Sequence, residues 1–277
     1  MLSQRVSHME SIGFIAAMSQ EIRPFLRRVG KWERVALGAF PSYRFRLFDR
    51  ECVLVQCGIG LKRATEATHA LTAATKPQLL VSFGVAGAVQ NDLRVGDVVF
   101  VQAACLLDNG LPGQVQPLAL WCAAAQQATT QALQPRGARC VTGTAITTPG
   151  SQSVHLQPKQ LAQPVLEMET MGVARVAAEQ AIPLLALRAV SDIVDDAVAF
   201  DLGEFFDADS NLRPGKIARA ILRRPHILPQ FLRLARNTDR AAENAAIALV
   251  AALRSVGSSD FSGKKKFLDT DLHGLDR

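Results

Sequence analysis

The 277-residue chain is 48% hydrophobic and 20% charged, enough apolar content to bury a sizeable core in one large α/β domain with appendages. Its formal charge of +6 sits in one place: residues 211–240 carry eight basic side chains and one acid, a local balance of +7, so everything else sums to −1. A near-neutral body excludes a nucleic-acid-binding surface spread over the whole protein and leaves any anionic partner to that late segment.

In chain order, "SIGFIAAM" (11–18) reads as a buried strand and "SQEIRPFLRRVG" as a turn into a short helix ending near Gly30, which puts Glu21 just past a strand's carboxyl end. The strand is too short to span a membrane and lacks the cationic front and cleavage site of a secretory signal, so a cytoplasmic location is expected. "YRFRLFDRECVLVQCGIG" (43–60) alternates in its first half, then becomes an apolar strand stopped by a glycine turn. A helix over 62–75, the apolar strand 78–89 broken at Gly84 and Gly87, and the strand "GDVVFVQAA" follow. Residues 106–120 read as loop, 121–134 as helix, "ARCVTGTAITT" as strand, 170–180 as helix, and "LLALRAVSD" as a strand whose charged end carries Asp192. Strands alternate with helices almost throughout, which predicts a sheet covered on both faces, with ligands at the carboxyl ends of its strands.

Several motifs carry chemistry to different degrees. The turn Gly58-Ile59-Gly60 matches a dinucleotide loop only in part: Arg63 takes the third glycine's place, and no acid stands about twenty residues on to hold a ribose. A tight turn explains those glycines equally well. "GVAG" (84–87) ends its strand in small residues, which suits either close packing or a ligand lying against backbone amides. The five cysteines, Cys52, Cys57, Cys105, Cys122 and Cys140, form no C-x-x-C pair, so buried free thiols are expected rather than disulfides or a metal site. No histidine pair has ligand spacing, and the G-x-S-x-G elbow of serine hydrolases is missing. Three acids remain, Glu21, Glu169 and Asp192, each following an apolar strand. Singly, each reads as a helix cap. Gathered in one cleft, they would serve glycosidic cleavage, one activating the attacking oxygen and another protonating the leaving group.

With "GFIAAMSQE", "CGIG", "FGVAGAVQNDLRVGDVV", "LEMETMGVARVA" and "IPLLALRAVSD" in this order, the chain resembles the nucleoside phosphorylase and nucleosidase superfamily, most closely the methylthioadenosine/S-adenosylhomocysteine nucleosidase branch. The resemblance implies one α/β domain over residues 10–255 with a twisted mixed central sheet flanked by helices, and cleavage of an adenine nucleoside with water or phosphate as co-substrate and no cofactor or metal. It gives Glu21 the role of base for the attacking water, and Asp192 that of acid toward the departing adenine, positioned by Ser191. Glu169 would grip ribose hydroxyls with Met168 packed against the sugar and Glu167 as a second sugar-side acid, while Met18, Val85, Ala86 and Gly87 lie beside base and ribose. Phosphorolytic relatives hold phosphate with an arginine before the glycine turn, where this chain has Ser82; hydrolysis is therefore expected over phosphorolysis. A nucleoside-binding sensor would need no water-activating base such as Glu21. The resemblance further implies a homodimer.

The late segment "LRPGKIARAILRRPHILPQFLRLARNTDRAAENAA" reads as an amphipathic basic helix inserted at about 212–240, with Ile227, Phe231 and Leu234 on one face and Arg233, Arg236 and Arg240 on another. Packing on the core or a subunit explains it simply; the sharper reading is a peripheral contact with an anionic membrane that admits a lipid-linked nucleoside. That would suit the hopanoid-associated branch acting on adenosylhopane, and a futalosine-like nucleoside is the other larger substrate. Residues 256–277 read as a flexible tail.

Overall fold

The computed structural model describes residues 11–118, 123–148, 161–193 and 228–256, together with Gly215, Lys216, Arg219, Arg223 and Arg224. The expected tail after Val256 therefore lies outside the described residues, as do Cys122, Ile227 and the greater part of 212–227.

Strand β1 (Ser11–Ala16) passes through Met18 into helix α1 (Ser19–Val29), which ends at Gly30 with φ of 89°. β2 (Trp32–Leu37), β3 (Phe40–Leu47) and β4 (Arg50–Gln56) form an antiparallel meander. Helix α2 (Leu61–Thr75) leads to β5 (Leu79–Ala88) and then β6 (Val98–Asp108), onto which the short strands β7 (Leu111–Pro112) and β8 (Gln116–Pro117) fold back. α3 (Ala123–Leu133), β9 (Cys140–Thr147), β10 (Val165–Glu167), α4 (Thr170–Glu179), β11 (Leu184–Asp192) and α5 (Leu228–Ser255) complete the described chain.

All strands but the short β7 lie along or on one mixed sheet of order β10-β9-β6-β11-β5-β1-β4-β3-β2. β10 also pairs with β5, through Val165↔Ala88 and Leu166↔Gly87, so five strands close into a ring while β1, β4, β3 and β2 extend as a wing. Closure leaves no main-chain edge at that end and puts β10 directly against the glycine-rich end of β5. β1, β5 and β11 run parallel, so their carboxyl ends lie together as α/β sheets require for a ligand site.

Two apolar layers sandwich the sheet. On one side Phe25 of α1 stacks 5.3 Å from Phe14, 5.7 Å from Phe45 and 5.3 Å from Phe83. The buried alanines of α5, among them Ala241, Ala245, Ala248 and Ala252, let that helix lie close against the same layer. α2 and α4 cover the other side, pressed together at Gly172, where a Cβ would come within 2.6 Å of the Leu61 carbonyl.

Three features differ from the sequence reading. Residues 106–118 are a continuation of β6 and its two return strands rather than a loop: Gly110, Pro112 and Gly113 read as breakers, but Gly110 makes the turn, Pro112 pairs with Leu107 in the return strand and Gly113 lies between the two return strands. β2 was not anticipated, because Trp32–Leu37 is largely exposed, has little alternation and is held mainly by pairing to β3. The meander also breaks the regular alternation of strand and helix. As for the basic segment, residues 228–240 are the first half of α5, continuous with its buried second half. The exposed apolar side chains there are Leu228 and Leu232, while Phe231 and Leu234 are half-buried.

Because Phe25 touches three other rings at the centre of its layer, truncation leaves a cavity the flanking sheet cannot fill. Phe25→Ala is expected to lower unfolding stability by about 3–5 kcal/mol, read from the shift of the urea midpoint at unchanged slope.

Candidate active site

Glu21 occupies the third position of α1, where its carboxylate reaches back to cap the helix start. Its Oε2 accepts the N–H groups of Ala17 (3.0 Å) and Met18 (2.8 Å), and its Oε1 accepts that of Val85 (2.9 Å). A carboxylate has about four acceptor positions, so three backbone donors leave one open on Oε1. The side chain is buried, and burial pushes its pKa above the ordinary 4.5 in spite of the Val85 and Met18 hydrogen bonds and the charge of Arg188. Such a group is an acceptor poised closer to neutrality than an exposed glutamate.

The "GVAG" turn makes room for acids. A Cβ on Gly84 would collide with Glu21 Oε1, and one on Gly87 would lie 2.6 Å from Asp192 Oδ2. Both carboxylates therefore pack directly on β5, three residues apart, a rise of about 10 Å along an extended strand. Asp192 reaches Gly87 because β11 slips register there: Val190 pairs with Ala86 and Asp192 with Gly87, leaving Ser191 bulged between them. The Ser191 hydroxyl donates to Asp192 Oδ1 at 2.6 Å. Val85 and Gly87 are half-buried and Ala86 buried at this seam, with the half-buried Met18 at the mouth of α1.

Glu169 arrives by a different route from the other two acids. Its strand, β10, runs antiparallel to β5, and the residue itself is the start of α4. Gly60 donates its N–H to Glu169 Oε1 at 2.8 Å, so the glycine turn read from sequence as a tight turn also grips an acid. No protein donor meets its Oε2 among the described residues. Burial, then the neighbouring charges of Glu167 and Glu21, push its pKa up to about 8.

Glu167 stands in a different environment. Expected on the sugar side, it is buried in protein with a side chain only 1% exposed. Thr147 donates its hydroxyl to Oε1, and Oε2 accepts the N–H groups of Glu169 (3.0 Å) and Thr170 (2.7 Å), the Thr170 hydroxyl (2.7 Å) and the Arg188 guanidinium (2.9 Å). Burial alone would raise its pKa, but Arg188 and the Thr147 and Thr170 hydroxyls outweigh it and hold the group below the ordinary range. It serves as the N-terminal cap of α4 and the counter-ion of Arg188. Met168, between the two glutamates, is half-buried.

Arg188 was missed. It stands mid-strand in "LLALRAVSD", side chain 2% exposed, bonded to Glu167 and to the Ser82 hydroxyl at 2.9 Å, and close enough to Glu169 and Glu21 to act on both. A lone arginine inside an otherwise apolar strand was the available signal, since a cation there must have buried partners. Among the described residues no group of His, Cys, Asp and Glu could hold a metal ion, and no helix is long and apolar enough to cross a membrane.

Comparison with known proteins bears on the family and the fold. The family model described as "Phosphorylase superfamily" matches residues 11–223. The 5'-methylthioadenosine/S-adenosylhomocysteine nucleosidase of Listeria welshimeri is 26% identical over 216 residues, 70% of this chain and 91% of that one. That of Staphylococcus aureus is 25% identical over 210 residues, 71% and 92% of the two chains. Among solved structures, the futalosine hydrolase of Helicobacter pylori superposes with TM-score 0.64 at 18% identity, covering 90% of this chain and 99% of that one. The 5'-methylthioadenosine/S-adenosylhomocysteine nucleosidase of Neisseria meningitidis, in complex with methylthio-immucillin-A, does so with TM-score 0.64 at 20% identity, covering 90% and 100%.

The raised pKa of Glu169 has a thermodynamic sign. Between the ordinary value of 4.5 and about 8 the folded protein holds a proton the unfolded chain releases, so this group's contribution becomes steadily less favourable as pH rises through that window. Glu169→Gln removes the effect. Its melting temperature relative to the unmodified protein should climb from pH 5 to pH 8, as followed by calorimetry; a constant offset would place the titration elsewhere.

Proposed function

The chain belongs to the phosphorylase superfamily of enzymes, and on that premise we propose that it hydrolyses the N-glycosidic bond of an adenine nucleoside and releases adenine. One observation carries this reading: Glu21, with an acceptor position open, and Asp192, oriented by Ser191, both pack on the glycine-rich end of β5. Glu21 takes a proton from water as its oxygen bonds to the anomeric carbon. Asp192 gives a proton to the ring nitrogen of the departing adenine, so the electron pair of the broken bond stays with the base. Glu169, one oxygen tied to Gly60 and the other open, accepts from ribose hydroxyls. As positive charge grows on the sugar, these carboxylates are stabilising where the charge develops, and the cation favours the ionised form of Glu169.

Hydrolysis is preferred over phosphorolysis because Ser82, at the place of the phosphate-binding arginine of phosphorolytic relatives, is buried and engaged by Arg188. Turnover of an adenine nucleoside is expected to yield free ribose rather than ribose 1-phosphate whether or not phosphate is added. Asp192→Asn should keep nucleoside affinity while lowering kcat by about two orders of magnitude or more. Ribose 1-phosphate as main product would overturn the hydrolytic reading, and near-normal turnover of the variant would remove Asp192 as the acid.

A second reading concerns substrate size and where the enzyme works. Leu228 (39% exposed) and Leu232 (48% exposed) stand beside the exposed Arg233 and Arg236 on α5, an arrangement that suits a peripheral contact with an anionic membrane and a lipid-linked adenosyl substrate of the adenosylhopane kind. It is tested by co-sedimentation with phosphatidylglycerol vesicles at low salt. Binding should weaken markedly in Leu228→Ser/Leu232→Ser, and no binding by the unmodified protein would discard it.

A further inference from the structure

A cavity of about 450 Å³ opens between α1 and α5. Arg23, Arg27, Arg136 and Arg240 line it with only Asp239 and Glu243 to balance them, and none of Glu21, Gly87, Glu169 or Asp192 reaches it. Glu243 is already occupied, 3.1 Å from Arg27 and 2.5 Å from Arg28. No carboxylate among the described residues forms an ion pair with Arg23, Arg136 or Arg240.

One of these guanidinium groups is fixed from behind and a second packs close to the backbone. Arg136 donates through Nε to Asn244, a fully buried side chain whose amide in turn donates to the Gly96 carbonyl at 2.7 Å. Holding Arg136 by Nε leaves its two terminal nitrogens for a ligand. Arg240 lies over the backbone of Gly96, where a Cβ would come within 3.0 Å of both its Nε and the Asn244 amide, and φ of +94° independently requires glycine there. A buried asparagine thus holds one cation in place, and a glycine leaves room for a second beside it.

Four like charges gathered around one cavity with only two acids among them repel one another, and a bound anion relieves that repulsion. Planar forks with free terminal nitrogens match the oxygens of a phosphate group in particular. The volume lies in the range of small-molecule sites and leaves room for an organic portion. We infer that this cavity binds a phosphate monoester of small-metabolite size, at a site separate from the catalytic one. The inference is independent of the hydrolytic reading. Its position is pertinent nevertheless: Arg23 stands two residues beyond Glu21 on α1, and Gly96 donates to the carbonyl of Val190, two residues before Asp192, at 2.8 Å.

The test is isothermal titration of the full chain with glucose 6-phosphate, inorganic phosphate and glucose. Glucose 6-phosphate should bind and raise the melting temperature, and glucose should do neither. Inorganic phosphate binding as tightly as the ester would overturn the assignment to a monoester. Arg136→Gln/Arg240→Gln should weaken binding of the ester about tenfold or more. Should that pair fail to fold, Arg23→Gln/Arg27→Gln on the exposed face of α1 is expected to do the same. Asp192→Asn should bind like the unmodified protein. Equal weakening by Arg236→Gln, outside the cavity on the same helix, would reduce the effect to diffuse charge and overturn the inference, as would no binding by the unmodified protein or unchanged binding by the arginine variants.

Discussion

A buried cation, Arg188, stands among three buried or half-buried glutamates, and the chemistry of the site depends on how its charge is shared. Glu167 takes the direct ion pair and is held ionised. Glu21 and Glu169 are left with a weaker and more distant attraction, so burial prevails and both are raised. One arginine thus sorts chemically identical side chains into a structural anion and two groups that take up protons more readily than usual. Removing it would leave Glu167 as an uncompensated charge and unfasten β11 from the start of α4 and from Ser82 on β5.

Around that cation the backbone does as much as the side chains. Gly84 and Gly87 clear the space into which Glu21 and Asp192 fit, the register slip at Ser191 aims Asp192, and the Gly60 N–H secures Glu169. Each device belongs to a strand end or a turn, where main-chain groups are not consumed by pairing. Closing β10 onto β5 brings an acid from an antiparallel strand to the edge shared by the parallel ones. That closure also explains how Glu167 and Glu169, two residues apart, come to face different surroundings, one the interior and one the cleft.

Helix α5 divides into two halves with separate tasks. Its alanine-rich second half is a spacer that lets a long helix lie close to the layer of phenylalanines. Its first half keeps arginines in the protein without burying them. Within that half Arg240 packs over Gly96 beside a cavity, whereas Leu228, Leu232, Arg233 and Arg236 face solvent. A segment that reads as one basic stripe therefore offers two unlike surfaces, one concave and fixed and one open.

Local chemistry made much of this legible beforehand. Apolar runs ending in glycine or acid mark β1, β5 and β11 and place Glu21 and Asp192 at their carboxyl ends, because a strand's burial and a turn's backbone freedom are written in neighbouring residues. The meander and the hairpin after β6 were less legible, since Trp32–Leu37 and Leu111–Pro117 are held by main-chain pairing that leaves little mark on side-chain pattern. The family resemblance named Glu169 as the ribose grip and Glu167 as a second sugar-side acid, and the sequence reading passed over Arg188 altogether. Only the tertiary structure decided between them, because the protonation state of a buried carboxylate depends on which donors and charges meet it through space, and those partners, Thr147, Gly60 and Arg188, lie far from it along the chain.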